Sequence, residues 1–437
     1  MTKLGYLLAG CTLSALLTAS AASAQSRPEF IPLGRVSAAL YKPDSGPAPH
    51  IAFLVAHRSG NNLNNIACRE LSRRGFAVLC FNTRYINNDT IAEAETVALD
   101  VKTAVDYART IPGITKVILL GHSGGSPLMS FYQAVAENGV SYCQGPNKLV
   151  QCGNELAGMK PADGLLFAEG HAGDGLQTLR GINPSLSIVD GKVKVDPSLD
   201  PYDPKNGYNP NGASKFSKEF RDRYYAAQSR VMNEQIAKAQ ALAARIKKGE
   251  HIYPDGDLIL VPFSKQEGAA RLDLLDPSVP ETMSTRRPQK LLKNDGSIVT
   301  QIVKSMEPPH PEQAKLNRTF DDGTKVQTLK SYLSTNAVKS TDSIDGIDHC
   351  STNSSAVCAV QSIKVPTLIT AMGAYHLLRD EELMYDKSAA ADKDYIVIEG
   401  AELNYTACKE CETTPGQYGN SAKNMFDYIA KWANSRF

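Results

Sequence analysis

Short apolar runs rich in β-branched residues alternate with longer stretches of helical spacing over the first third of the chain, the rhythm of parallel βαβ construction. Ile51–Ala56 reads as a buried strand, 63–74 as the helix that follows it, and 76–81 as the next strand. Thr90-Ile91-Ala92-Glu93 has the spacing of a capping box, in which hydroxyl and carboxylate satisfy reciprocal free amides, and predicts a helix running to Arg109. A strand over 116–120 leads directly into a glycine-rich turn and a helix ending near Glu137. The strand series resumes at 165–168, Thr367–Met372 and 395–399. These runs predict an α/β core over 25–170 and 365–437, with helices on both faces of a mostly parallel sheet.

The rhythm breaks between residues 171 and 364, which are expected to form a large cap or lid inserted into the core. The segment opens with irregular, turn-rich sequence, Pro201-Tyr202-Asp203-Pro204 and Asn209-Pro210-Asn211-Gly212. It continues with Phe220, Tyr224, Ala227, Val231, Ile236, Ala239, Leu242 and Ile246 near helical spacing, and Gly249 as a stop. One face of this helix should lie against the core or over a cleft. A brace for the insertion and a substrate-contacting lid are equally compatible with the pattern.

At the front, Lys3 precedes an apolar stretch over 4–17, and Ala22-Ser23-Ala24 supplies the small residues of a signal-peptidase site. Residues 1–24 therefore read as a signal peptide, and the chain beyond them as secreted or periplasmic. Leu8-Ala9-Gly10-Cys11 also resembles a lipobox that would anchor lipid on Cys11, but its leader is shorter than the usual charged and apolar regions together. No later run is apolar enough to cross a bilayer.

The chain carries 47 basic and 46 acidic residues, and loss of the leader with Lys3 balances them. That argues against nucleic acid or an anionic membrane as partner. Apart from Cys11 the cysteines are even in number, and sequence proximity pairs Cys143 with Cys152, Cys350 with Cys358 and Cys408 with Cys411, leaving Cys68 and Cys80. Cys408-Lys409-Glu410-Cys411 lacks a second CxxC or a following histidine to complete a zinc site, so a disulfide is the expected state. Asp342, Asp345, Asp348 and His349 lack a metal-loop pattern and read as a solvated turn. No dinucleotide fingerprint, phosphate loop or HExxH occurs; no metal is expected and nothing requires a cofactor.

Gly121-His122-Ser123-Gly124-Gly125 sits between a strand and a helix, the context that gives a GxSxG match its chemical meaning. Small flanking residues permit a strained turn that lifts the Ser123 hydroxyl above the sheet, and the following helix aims free amides at any anion formed there. Here the chain resembles the α/β-hydrolase fold family over Ile31 to Gly170 and Val365 to the C-terminus. The resemblance implies a serine nucleophile at Ser123, a lid in the inserted segment, and oxyanion-stabilising amides at Gly124 and, from His57-Arg58-Ser59-Gly60, at Arg58. Each such donor contributes about 3 kcal/mol to the transition state.

The resemblance also implies a histidine after the last strand and an acid after the one before. The sequence departs from this pattern: Gly400-Ala401-Glu402-Leu403 places leucine where the base belongs, and His376 is the last histidine of the chain. His376 beyond 367–372 and His171 beyond 165–168 are the candidates for the base. With strands ~4.8 Å apart, His376 starts about 10 Å from the nucleophile strand, within side-chain reach. His122 should point away from the turn and His57 could line the oxyanion side. Asp380 could orient an imidazole, with Glu169 and Asp174 beside the other strand. His50, His251, His310 and His349 lie in polar or Pro-rich surroundings and read as surface residues.

These features predict an exported serine hydrolase that cleaves a small-molecule or polymeric carboxylic ester through a Ser123 acyl-enzyme. The alternative reading is a hydrolase-like scaffold, without a competent base, that binds a ligand or partner.

Overall fold

The computed structural model describes residues 27–250, 256–265 and 268–437, so the signal peptide and Cys11 lie outside the described residues. Its centre is a ten-stranded sheet. The strands are β1 (Glu29–Leu33), β2 (Val36–Tyr41), β3 (Ile51–Ala56), β4 (Ala77–Asn82), β5 (Lys116–Ser123), β6 (Gly164–Gly170), β10 (Gln289–Leu292), β11 (Ile298–Gln301), β13 (Thr367–Met372) and β14 (Lys393–Ile398). Two small antiparallel pairs, β7 (Leu186–Val189) with β8 (Lys192–Val195) and β9 (Leu258–Val261) with β12 (Lys325–Thr328), stand outside it. The order across the sheet is β1-β2-β4-β3-β5-β6-β13-β14-β10-β11. From β4 to β10 every neighbouring pair is parallel, and antiparallel pairs close both edges.

A parallel sheet is covered on both faces, so its central strands read as continuous apolar runs. All six residues of β3 are buried. Its alternate side chains serve two cores. Ala52, Leu54 and Ala56 pack with Val97, Val101 and Val105 of helix α2 (Ala94–Ala108) and Phe131 of α3 (Gly125–Asn138). Ile51, Phe53 and Val55 pack with Leu71 of α1 (Ile66–Ser72) and with Met425 and Ile429 of the C-terminal helix Ser421–Asn434. Cys68–Cys80 ties α1 to β4, and the other disulfides are Cys143–Cys152, Cys350–Cys358 and Cys408–Cys411, the pairing expected from sequence.

The capping box expected at Thr90 is not formed. Thr90 lies in the short 3₁₀ turn Asp89–Ile91, and α2 starts after Glu93 without a side-chain cap from that residue. A residue far along the chain does the work: the Ala94 N–H donates to Ser334 Oγ at 2.8 Å, and that hydroxyl donates to Glu95 Oε2 at 2.6 Å. A buried tertiary cap thus replaces the local one.

The inserted segment is interwoven with the sheet. Its β10–β11 hairpin pairs in parallel with β14 and extends the sheet at that edge. The long helix is α5 (Lys218–Lys247), capped by Ser217 Oγ accepting from the Phe220 N–H at 3.2 Å. Its Phe220 and Tyr224 pack with Phe216, Leu272 and Leu275, while Met232, Ile236 and Ala239 join the main core. Its Gln228 amide donates to the carbonyls of Arg180 and Ile182, which close the helix α4 (Asp174–Gly181). These contacts make α5 a brace. Among the described residues no helix is long and apolar enough to cross a membrane.

Candidate active site

Ser123 ends β5 with φ +51°, a left-handed conformation costly for a side chain with a Cβ, and α3 begins two residues later. The glycines around it are required by close approach. A Cβ at Gly121 would lie 2.6 Å from the Gly125 carbonyl oxygen, one at Gly124 would lie 2.5 Å from His57 Nε2, and one at Gly125 would lie 2.2 Å from the Ala56 carbonyl oxygen. Ser126 Oγ donates to the Gly121 carbonyl at 3.0 Å and fastens the turn from below. The register with β6 shifts at this point, setting Ser123 opposite Gly170. The sequence therefore folds into a tight strand–turn–helix elbow because backbone leaves no room for a Cβ at Gly121 and Gly125, and the His57 ring crowds Gly124.

The Ser123 side opens on a cavity of about 260 Å³, also lined by His171, Gln177, Arg271, Glu307, His310 and His376. Both candidate bases thus face the same space as the serine. His376 follows β13, and its Nδ1 lies 2.9 Å from Glu307 Oε2 and 3.1 Å from Oε1. Since a carboxylate only accepts, Nδ1 carries the proton and Nε2 is left with its lone pair. His171 presents the opposite nitrogen to its carboxylate: Nε2 lies 3.5 Å from Asp174 Oδ1, and Asp174 is shared with Arg58 Nη1 at 3.2 Å and with the Ser354 hydroxyl. The Nδ1-to-carboxylate arrangement of His376 is the one a serine–histidine–acid triad uses.

Asp380 does not reach His376. Its carboxylate is held by Arg180 through two hydrogen bonds, of 2.7 and 3.1 Å, on the buried side of the helix Leu378–Lys387. The carboxylate beside His376 is Glu307, in the stretch after β11, where the neighbouring Met306 N–H donates to the Gly373 carbonyl at the end of β13. Glu307 is 8% exposed and also lies 3.5 Å from His310 Nε2. Burial raises its affinity for a proton, but His376 and His310 outweigh burial and hold the carboxyl below its ordinary pKa. His310 is half-buried against this cavity, contrary to its reading as a surface residue; its bonds to Glu307 raise its pKa, burial opposing. His349 is likewise half-buried, His50 is exposed, and His251 falls outside the described residues. Asp342 forms the expected turn, its Oδ1 accepting from the N–H groups of Ile344, Asp345 and Gly346.

On the other side of the elbow, Gly124 caps the N-terminus of α3 and Arg58 follows His57 beyond β3. His57 Nδ1 accepts from the Ser59 and Gly60 N–H groups at 3.1 and 2.8 Å, which leaves the ring proton on Nε2, toward Gly124. The loop is thus folded back onto the turn, with the Arg58 carbonyl fixed by Thr83 Oγ1 at 2.5 Å. The Arg58 guanidinium pairs with Asp89 and Asp174, each at 3.2 Å.

His122 points away from the cavity, as expected, and donates from Nε2 to the Leu403 carbonyl at 2.7 Å. Leu403, in the turn after β14, thus contributes a backbone acceptor. Burial lowers the His122 pKa to about 4. Because this lies below the unfolded value of about 6.5, the unfolded chain binds the proton more readily as pH falls between those values. The contribution of His122 to stability is intact above that window and declines through it by about 1.4 kcal/mol per pH unit. The urea midpoint should accordingly be lower at pH 5 than at pH 7, and His122→Gln should flatten that dependence; an equal dependence in the variant would show that His122 does not titrate with folding.

The strand order, the strand–elbow–helix turn and the cavity above it define an α/β-hydrolase fold. No protein-family model and no curated protein matches the sequence. Solved structures similar in overall shape include the alpha/beta hydrolase GrgF from Penicillium sp. sh18 (10% identity, TM-score 0.43, covering 92% of this chain and 94% of that one). Others are the monoacylglycerol lipase of Paleococcus ferrophilus (10% identity, TM-score 0.38, 91% and 99% covered) and Est1E from Butyrivibrio proteoclasticus (10% identity, TM-score 0.37, 94% and 100% covered).

Proposed function

We propose that the protein is an exported serine hydrolase acting on carboxylic esters, with Ser123 as nucleophile, His376 as general base and Glu307 as the acid that orients it. The observation that carries this reading is the His376–Glu307 pair at 2.9 Å on the cavity that Ser123 lines. Ser123 Oγ attacks the ester carbonyl while His376 Nε2 takes its proton, and the Glu307 carboxylate stabilises the resulting imidazolium. The Gly124 N–H and the Arg58 N–H are the proposed donors to the tetrahedral oxyanion. His376 then returns the proton to the departing alcohol, and a water activated by the same imidazole releases the acid from Ser123. The leader sequence and four disulfides support export to an oxidising compartment.

A fluorophosphonate probe should label the folded protein on Ser123, and Ser123→Ala should carry no label. Wild-type protein that stays unlabelled would favour the alternative of a hydrolase-like scaffold that binds without turnover.

A further inference from the structure

Most lipid-directed sites present a hydrophobic wall to the acyl chain. The wall above Ser123 is different in kind. Among the described residues that line it only Leu274 and Leu377 are aliphatic, and the rest of the surface away from the catalytic groups is made by His171, Gln177, Arg271, His310 and Gln313, with Tyr375 and Gly268. Two of these polar groups are buried and held in place: Gln177 is 6% exposed and Arg271 is 3% exposed. Arg271 Nη1 donates to Gln177 Oε1 at 3.0 Å, while its Nε and Nη2 engage the two oxygens of Asp273 at 3.0 and 2.6 Å.

This arrangement fixes the amide. A guanidinium has no acceptor, so the oxygen of Gln177 must face Arg271 and its NH₂ must be the other end of the group. Gln177 therefore offers donors that α4 and Arg271 hold in one orientation. The Arg271 charge is already answered within the protein by Asp273, and the Glu307 carboxylate accepts from His376 and lies 3.5 Å from His310. A substrate carboxylate entering the cavity would meet the Glu307 carboxylate, while the Arg271 guanidinium is already paired with Asp273.

Resting on the serine-hydrolase reading, we infer that Gln177 is a specificity-determining residue and that the substrate is an uncharged ester bearing a hydroxyl or carbonyl group near the scissile bond, in preference to a plain alkyl ester. A buried donor left unpaired by an alkyl chain costs about 1–3 kcal/mol, which is roughly tenfold or more in kcat/KM.

Two isosteric pairs test this on either side of the ester: methyl 3-hydroxybutyrate against methyl 3-methylbutyrate, and 2-hydroxypropyl acetate against isobutyl acetate, with monomethyl succinate as the charged comparison. The expected result is at least about a tenfold preference in kcat/KM for the hydroxylated member of one pair or both, and a poorer rate on the succinate. Gln177→Leu should bring the preferred ratio close to one by losing rate on the hydroxylated ester. Gln177→Met, close to glutamine in length and without a donor, should do the same and guards against a folding defect in the first variant. Equal or reversed selectivity in both pairs, a preference for the succinate, or a ratio that survives both substitutions would overturn the inference while Ser123 labelling leaves the hydrolase reading standing. Loss of both labelling and turnover in the wild type would overturn both.

Discussion

His376→Ala is expected to lower kcat on a short p-nitrophenyl ester by at least about a thousandfold, with His171→Ala costing far less. The two imidazoles share a cavity with Ser123, so proximity does not separate them; the nitrogen each presents to its carboxylate does. With Nδ1 on Glu307, His376 has Nε2 available, as the proposed role of accepting and then returning the serine proton requires. His171 spends Nε2 on Asp174, whose charge is shared with Arg58. Glu307→Gln preserves shape and removes the charge that supports the imidazolium, and should cost on the order of a hundredfold or more in kcat with a smaller change in KM. An unchanged kcat in His376→Ala would sink the assignment, and a large loss in His171→Ala instead would move the base to β6.

Gly125→Ala should be the most damaging single methyl in the elbow. Its Cβ would sit 2.2 Å from the Ala56 carbonyl oxygen, and that oxygen belongs to a buried strand paired on both sides, so no flexible side chain can move away. Overpacking ordinarily costs about 1–3 kcal/mol, and a clash between two backbone segments lies at or beyond the top of that range. Gly124→Ala meets the tip of the His57 ring, a side chain with some room to shift, and should cost less. Thermal melts of the two variants check this ordering. Equal melting temperatures would mean that the start of α3 can move away from β3 at no greater cost than the His57 ring can shift. Activity should fall in Gly125→Ala more than the folded fraction does, since Ser123 is carried by the same turn.

Much of the sheet is legible in the residues because burial on both faces writes strands as uninterrupted apolar runs. Ile51–Ala56 and Thr367–Met372 coincide with β3 and β13, and the other core strands differ by a few residues at their ends. The elbow is legible because steric demand selects glycine at fixed spacing. The start of α2 is not, since its cap comes from Ser334, far along the chain. Glu307 is hidden for the same reason. Ser305-Met306-Glu307-Pro308-Pro309 carries no periodicity and no motif, and the carboxylate acquires meaning only when Met306 is bonded to Gly373 beside His376. The β10–β11 hairpin, a four-residue strand interrupted by exposed Lys290 and a wholly exposed partner, gives no long apolar run by which its addition to the sheet could be foreseen.

That hairpin determines what can be exchanged between proteins of this architecture. Because β10 is stitched to β14 and the chain runs from β11 into Glu307, the segment that decorates the sheet also delivers the proposed proton-relay partner, and it carries Arg271 as well. Grafting this region into another scaffold would transplant part of the catalytic apparatus together with the pocket, and trimming it to obtain a minimal enzyme would remove both at once.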